Sequence, residues 1–529
     1  MYGMMTTRNR CSGLFVVTIG LFIICGNAYK ILVIPAPGTG HVSEAVAIGR
    51  ALTGRGHNVT MLLGEGFKFW KELPSSITLE RYRFEKGEEI DYAKLYKNYT
   101  DLYLCKNYSV KDMVAFVIPW MAYDSNTLLL HNDPLFEKLK NVGFDLALVD
   151  GLFANKYFYL VPHRLGVPWV TYVNIVEPFL NGAPDLPSFV PHQLTTYTDR
   201  MAFIERLSNT VTYLMLHFVK LLPDPTNEIL EKYRGYGSFE TIDELSSRSL
   251  MWLITRDVVL DYPKPSMPNI VDVGGLTTGL GNGQLTDELE KFMSDGKSGV
   301  ILVTFGSMVY DLPVRLASKF VSAFRRLPDF KIIWRFDNTK TNLSISENVL
   351  LAEWLPQNDI LADARVKLFI THCGSNGQFE AIYHGVPMIA FPTHADQPYN
   401  AARLHPKGYG IAMNFQTFTP EELVTNVKHV IGDKSFKERT MLASKIFKSR
   451  PETPSERAAF WIEHVIKFGG EYLRSAGTDL YLFQYYMLDV LLFLIIGIAI
   501  AVWFIGQSLK FLCQKCRRVD KHSVKLKGC

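Results

Sequence analysis

At 529 residues the chain is long enough for two or more domains, because a single hydrophobic core stops growing near ~250–300 residues. An apolar fraction of 48% with 13% aromatic residues suits a globular enzyme that also touches a membrane. The formal net charge of +4, much of it in the C-terminal tail, is too slight to argue for a nucleic-acid partner.

Arg8 and Arg10 precede an apolar run over 14–25, which is followed by Gly26-Asn27-Ala28. A basic region, an apolar region and a small-residue cleavage site predict a signal peptide over 1–28, with Tyr29 or a near neighbour as the new N-terminus. An uncleaved anchor is the alternative, for which the apolar run is short.

Residues 30–35 form an apolar run, followed by Gly38-Thr39-Gly40-His41 and a helical pattern over 42–53. Gly54 and Gly56 end that helix, and 59–63 is the next strand, giving a β-loop-α-β opening of Rossmann type. A strand over 145–149 ends at Asp150, and 169–173 and 250–254 read as further strands. Two less regular regions, 65–135 and 178–245, are rich in Phe, Tyr, Leu and Pro and suit lids and acceptor pockets. This first domain covers 29–275, and 276–297 reads as a linker. A second α/β series over 298–450 starts with a strand over 299–305, Gly306-Ser307, a helix over 313–326 and a strand over 331–336.

The most informative stretch is 354–400. A strand over 367–371 runs into the polar turn His372-Cys373-Gly374-Ser375-Asn376-Gly377, then a helix from 379, then a strand over 386–391 ended by Pro392. A strand, a Gly-containing turn and a helix N-terminus make an anion site, because unpaired backbone N–H groups and the helix dipole face the ligand. A plain strand–turn–helix joint has the same outline, but this one also carries Glu380, with Trp354 and Gln357 upstream. Over more than forty residues in order, the stretch closely resembles the signature of the UDP-glycosyltransferases, the family that contains the UDP-glucuronosyltransferases. The resemblance extends weakly over nearly the whole chain. It implies the GT-B architecture, an α/β fold of two Rossmann-like domains facing a cleft. One departure stands out: the family reads His-Gly-Gly in the turn, and Cys373 replaces the first Gly, where a side chain either crowds the phosphate or points away.

A sugar nucleotide needs a base pocket, a charge sink for its diphosphate and partners for the sugar hydroxyls. Trp354 offers a flat face to uracil, Gln357 a hydrogen bond to the base edge or ribose, and Glu380 an acceptor for the ribose hydroxyls. His372, Asn376, the amides around Gly374, and Ser307 face the phosphates, and Arg256 adds a charge unless a salt bridge holds it. Asp396 and Gln397 bind sugar hydroxyls. Each assignment maps onto the matching position of the family motif. No Asp-x-Asp metal clamp occurs, so no metal is expected, and dipole and hydrogen bonds stabilise the departing UDP.

The acceptor loses a proton as it attacks. His41 at the end of the first strand suits a general base, and Asp150, on the same sheet edge, suits its orienting carboxylate. A lone turn histidine is more often structural, but the family's matching His and Asp reverse that, and imply an inverting single displacement. Packing or solvent exposure accounts for His57, His384 and His394.

Residues 451–486 read as helices and a membrane-proximal segment, and 487–506, apolar except for Asp489, as a transmembrane helix. The basic tail 507–529 places that end in the cytosol and the body in the lumen. Lys525-Leu526-Lys527-Gly528-Cys529 is similar to the dilysine signals of endoplasmic-reticulum proteins and to the tails of family members; a solvated basic tail is the alternative. Cys105 and Cys373, the two luminal cysteines, give no disulfide framework, and Cys513 and Cys516 lack a second ligand pair for zinc but suit palmitoylation. Sequons at Asn58, Asn98, Asn107 and Asn342 fit a luminal body. The resulting expectation is transfer of glucuronic acid or glucose from a UDP-sugar to a small lipophilic acceptor by a membrane enzyme, with homo- or heterodimers implied only by the family resemblance. A sterol or ceramide glycosyltransferase and a catalytically silent lipophile-binding member are the alternatives.

Overall fold

The computed structural model describes residues 28–67, 73–84, 94, 98, 104, 127–174, 178–184, 186–219, 227–281, 283–307, 309, 312–339 and 341–525. The signal-peptide core, Cys105, the Asn107 sequon and the last four residues lie outside them.

Two parallel sheets organise the chain. The first has seven strands: β1 (Lys30–Ile34), β2 (Asn58–Gly64), β3 (Ile77–Tyr82), β4 (Leu146–Asp150), β5 (Trp169–Val173), β6 (Trp252–Ile254) and β7 (Ile270–Asp272). Their order is β3-β2-β1-β4-β5-β6-β7. The second has six strands: β8 (Val300–Thr304), β9 (Lys331–Arg335), β10 (Val349–Ala352), β11 (Val366–Thr371), β12 (Met388–Ala390) and β13 (Gly410–Ala412). Their order, β10-β9-β8-β11-β12-β13, repeats the same winding. Parallel strands carry helices on both faces, which is why they read as continuous apolar runs. Ile31 and Val33 accordingly enter one core cluster and Leu32 and Ile34 another.

In each sheet the strand order reverses beside the first strand, between β1 and β4 and between β8 and β11. The loops leaving the carboxyl ends diverge there and open a crevice, where open α/β sheets bind their ligands. His41 and Asp150 flank the first crevice, and Ser307 and His372 the second.

Helices α1 (Thr39–Gly54), α2 (Phe203–Val219), α3 (Val314–Arg325), α4 (Ser375–Tyr383), α5 (Gln397–Ala402), α6 (Lys434–Lys448), α7 (Pro454–Phe468) and α8 (Leu488–Lys525) matter below. Two of them start earlier than apolar periodicity predicts. α1 begins at Thr39 and takes His41 into its first turn, and α4 begins at Ser375 rather than 379. First-turn N–H groups have no intrahelical partner, so Gly, Ser and Asn are tolerated there and hide the start from a periodicity search. The irregular region 178–245 contains α2, and the stretch 276–297 contains a short helix at Asp287–Ser294. Beyond the second sheet, α7 crosses back and buries Ala458, Ala459, Ile462 and Val465 in the first-sheet core that holds α1.

Within α8, residues 488–515 are long and apolar enough to cross a membrane, and none of their most apolar stretch is buried in the protein. This is the C-terminal span expected from the sequence, extended by helical residues of the basic tail. Asn58, Asn98 and Asn342 are exposed.

Candidate active site

The base side begins at β1. Its parallel register with β4 pairs Ile34 with Val149, so the loop leaving β1 passes Asp150. His41 Nδ1 lies 2.9 Å from Asp150 Oδ2. Asp150 is wholly buried and accepts two more hydrogen bonds, from the amides of Ala36 (3.2 Å) and Leu152 (3.0 Å). In the tautomer that donates from Nδ1 to this carboxyl group, Nε2 is left as the acceptor nitrogen of the ring. Burial works to lower the His41 pKa, but the charge and hydrogen bond of Asp150, with Glu44 and Asp396, outweigh it and raise the pKa to about 9.

Glu44, one helical turn along α1, is buried beside this pair. Burial, with Asp150 and Asp396 adding to it, pushes its carboxyl up to about 8, against His41 and a hydrogen bond with Asn376. Sequence reasoning missed Glu44, although its spacing of three from His41 on a helix is a readable signal.

On the donor side, β11 ends at Thr371 and α4 starts at Ser375. The His372 ring sits between two glycine turns: a Cβ added to Gly306 or to Gly374 would meet its Nε2 at 2.5 Å. Burial and then the nearby Arg335 charge lower the His372 pKa to about 4, so the ring is neutral. Its Nδ1 is buried without a hydrogen-bond partner among the described residues, which suits a ligand-facing atom. Arg335, another residue missed in the sequence, donates to the carbonyls of Gly306 and of Glu353 (2.9 Å for the latter). Its guanidinium stands 5.1 Å from the Trp354 ring centroid.

Cys373 adopts a left-handed backbone with φ of 68°, costly for a residue other than glycine. Its side chain is fully buried in the core, where Sγ accepts from Gln378 Nε2 at 2.9 Å. The departure from His-Gly-Gly therefore fills the interior rather than crowding the turn.

Gln357 Nε2 donates to Glu380 Oε2 at 2.7 Å, and Thr277 Oγ1 donates to Oε1 at 2.9 Å. These bonds hold the Glu380 carboxylate in place on α4. Asp396 stands at the start of α5, where Asn400 Nδ2 donates to it at 2.7 Å. Burial raises its pKa, against that hydrogen bond. Gln397 Oε1 accepts from the Thr393 hydroxyl at 2.7 Å and the Thr393 amide at 3.0 Å.

Between the sheets lies a cleft open to solvent, whose walls include Asn174, Arg256, Ser375, Asp396 and Arg403. Arg256 reaches it while donating from Nε to Asp272 at 2.6 Å, so it is both wall and ion-pair partner. Ser307 follows Gly306 and is half-buried. Asn376, on α4, donates to the carbonyl of Gly40 at 3.2 Å, which brings the two halves of the site together. In the same wall Asp261 pairs with Arg403 (3.1 Å) and Lys264 (2.7 Å) and accepts from Tyr399 (2.6 Å), a buried network that the sequence did not reveal.

Two doubly wound sheets, each opening its crevice toward the other, define a GT-B glycosyltransferase. Solved structures agree on the fold. The calicheamicin glycosyltransferase matches with a TM-score of 0.56 at 16% identity, covering 84% of this chain and 99% of that one. A UDP-glucosyltransferase from Polygonum tinctorium also matches with a TM-score of 0.56, at 15% identity and the same coverage. The family model described as UDP-glucoronosyl and UDP-glucosyl transferase matches residues 29–523, and the chain belongs to that family. It is 32% identical to UDP-glucuronosyltransferase 1A1 of Rattus norvegicus, over 96% of each chain. It is 31% identical to UDP-glucuronosyltransferase 1-2 of Mus musculus, over 92% of each. Over 73% of this chain and 76% of the relative, identity to UDP-glucuronosyltransferase 2C1 of Oryctolagus cuniculus reaches 37%. The protein is a UDP-glycosyltransferase.

Proposed function

We propose that the enzyme transfers glucuronic acid or glucose from its UDP conjugate to the hydroxyl of a small lipophilic acceptor, with His41 as general base and Asp150 as its orienting carboxylate. The observation that carries this reading is the His41–Asp150 pair at one crevice, facing the N-terminus of α4 across the Asn376–Gly40 contact. The acceptor proton passes to His41 Nε2 as the acceptor oxygen bonds the anomeric carbon. The bond from that carbon to UDP breaks on the opposite face, inverting the centre. Charge growing on UDP meets His372, Ser307, Asn376 and the amides around Gly374 at the start of α4. Trp354 stacks on uracil, Gln357 and Glu380 hold the ribose, and Asp396 and Gln397 hold the sugar, with Arg256 at the cavity wall.

A second cleft, lined in part by Ala183, Pro191, His192, Tyr213 and Ile254, shares Gln193 and Arg256 with the first. Its mixed apolar and polar walls suit the acceptor. The C-terminal span, with the basic tail behind it, supports a single-pass protein of the endoplasmic reticulum with its catalytic domains in the lumen. The test is UDP release from membranes holding the protein, supplied separately with UDP-glucuronic acid, UDP-glucose and UDP-N-acetylglucosamine and a panel of phenols and steroids. Turnover with one donor identifies the sugar. Measurable UDP binding without turnover from any donor overturns the transfer to lipophiles.

A further inference from the structure

Residues 393–397, between β12 and α5, close on themselves. The amide of Gln397 donates to the His394 carbonyl at 3.0 Å, in a tight turn that holds Ala395 in a left-handed backbone with φ of 53°. That conformation is costly for a residue with a side chain and persists where its surroundings over-determine it. Here the surroundings are a closed circuit of side-chain hydrogen bonds. Gln397 Nε2, which can only donate, lies 3.2 Å from His394 Nε2, so that nitrogen is the acceptor of the imidazole. The proton of the neutral imidazole is then on Nδ1, 2.7 Å from the Thr393 hydroxyl oxygen, which accepts it. Thr393 Oγ1 in turn donates to Gln397 Oε1 at 2.7 Å, and the circuit closes. Burial, with the neighbouring His372 adding to it, lowers the His394 pKa to about 3, so the neutral form that the circuit requires is the one present.

The circuit leaves Gln397 with a single hydrogen to offer. Its Oε1 accepts from the Thr393 hydroxyl, from the Thr393 amide at 3.0 Å and from the His394 amide at 3.3 Å, which fills the lone pairs of a carbonyl. One Nε2 hydrogen goes to His394, and the other has no partner among the described residues. Turning the amide over would set Nε2 against two backbone N–H groups, donor against donor, so its orientation is fixed. Gln397 is buried, and Asp396, the residue before it, lines the cleft. His394 is thus more than the packing residue expected from the sequence: both of its ring nitrogens act on Gln397, one directly and one through Thr393.

We propose that His394, with Thr393, is a positioning residue for the donor sugar: it fixes the Gln397 amide so that Nε2 presents one N–H to a sugar oxygen, while Asp396 accepts from a sugar hydroxyl. The inference rests on the reading that Asp396 and Gln397 hold the sugar. The sugar group that meets Gln397 must be an acceptor, as a hydroxyl or carboxylate oxygen is, and a group able only to donate is refused there. Because the amide is ordered before the sugar arrives, little side-chain freedom is lost on binding.

The test is calorimetric titration of the detergent-solubilised full chain with UDP, UDP-glucose and UDP-glucuronic acid. The readout is the Kd of the UDP-sugar divided by that of UDP, taken for whichever of the two sugars the wild type binds more tightly. His394→Phe keeps an aromatic ring without its nitrogens, and Thr393→Val removes only the hydroxyl. Each is expected to raise the ratio about fivefold, the effect of losing one hydrogen bond, with the Kd for UDP held within about twofold. His394→Gln, whose side-chain carbonyl can take the place of Nε2 as acceptor, is expected to restore most of the wild-type ratio. Gln397→Ala separates the two readings. An unchanged ratio in Gln397→Ala means that this residue does not hold the sugar, and the reading beneath the inference fails with it. A raised ratio in Gln397→Ala beside wild-type ratios in both His394→Phe and Thr393→Val overturns the positioning role alone. If His394→Phe weakens UDP as much as UDP-sugar, it reports a damaged turn, and Thr393→Val decides: a wild-type ratio there overturns the proposal.

Discussion

Asn376 and Gly40 are 336 residues apart in sequence and 3.2 Å apart in space, amide nitrogen to carbonyl oxygen. Gly40 directly precedes the proposed base, and Asn376 lies in the first turn of α4, the helix proposed to face the donor phosphates. In the proposed mechanism the contact sets the distance between the base and the helix start that steadies the leaving charge. Asn376→Ala is expected to lower kcat by about tenfold with a smaller change in UDP affinity, because positioning across the cleft is lost while the α4 amides remain. Steady-state kinetics with calorimetric UDP titration checks this; an unchanged kcat would remove the contact from catalysis.

His41→Ala and Asp150→Asn are each expected to lower kcat by about 10²–10⁴-fold, the range for a general base and its orienting partner. UDP affinity is expected to stay within about twofold, since neither residue is on the donor side. Full activity in the His41 variant would place the base elsewhere.

The pH dependence follows from the two raised pKa values. His41 accepts a proton only when neutral, and its pKa is about 9. The rate constant kcat/KM is therefore expected to climb from pH 7 to pH 9 and to lose that climb in the His41 variant. Stability runs the other way. His41 rises from 6.5 to about 9 on folding, so its contribution is complete below pH 6.5 and is lost as pH passes about 9. Glu44, raised from 4.5 to about 8, binds its proton more tightly in the folded state, and so also costs stability as pH rises across that window. Thermal melts in detergent from pH 6 to pH 9 are expected to fall in midpoint, and Glu44→Gln is expected to flatten part of that fall.

Gly306 adopts φ of 83°, and a Cβ there meets His372 Nε2 at 2.5 Å. Gly306→Ala is expected to displace the His372 ring and weaken UDP binding by about tenfold, or ~1.4 kcal/mol. Calorimetric titration with UDP reads this directly, and wild-type affinity would show that the ring has room to move.

Arg403→Ala removes a buried partner of Asp261 and is expected to destabilise the protein by about 3 kcal/mol, the cost of stranding part of a buried ion network. Asp261→Asn combined with Arg403→Leu is expected to be less harmful than the sum of the two single changes. Strict additivity in denaturation experiments would mean that Lys264 and Tyr399 alone satisfy the carboxylate.

The strands were legible because parallel strands buried on both faces leave continuous apolar runs; β5 lies at 169–173 as its sequence predicts. The helix starts were less so: polar first turns hid the first residues of α1 and α4. Residues on the 354–400 stretch are close in sequence, so their meeting around one turn follows from local structure. Arg335, Thr277 and Glu44 reach the same site from other strands and helices, and no spacing announces them except the helical interval from His41 to Glu44.

The sequence by itself determined the family, the two-sheet plan and the C-terminal span, since strand periodicity, a strand–turn–helix motif and a long apolar run are local patterns. The tertiary structure alone decided that Cys373 turns into the core and that Asp261 answers to Arg403 from the other half of the molecule. Each depends on which groups meet across hundreds of residues, and burial, charge pairing and side-chain direction are settled only when those surfaces come together.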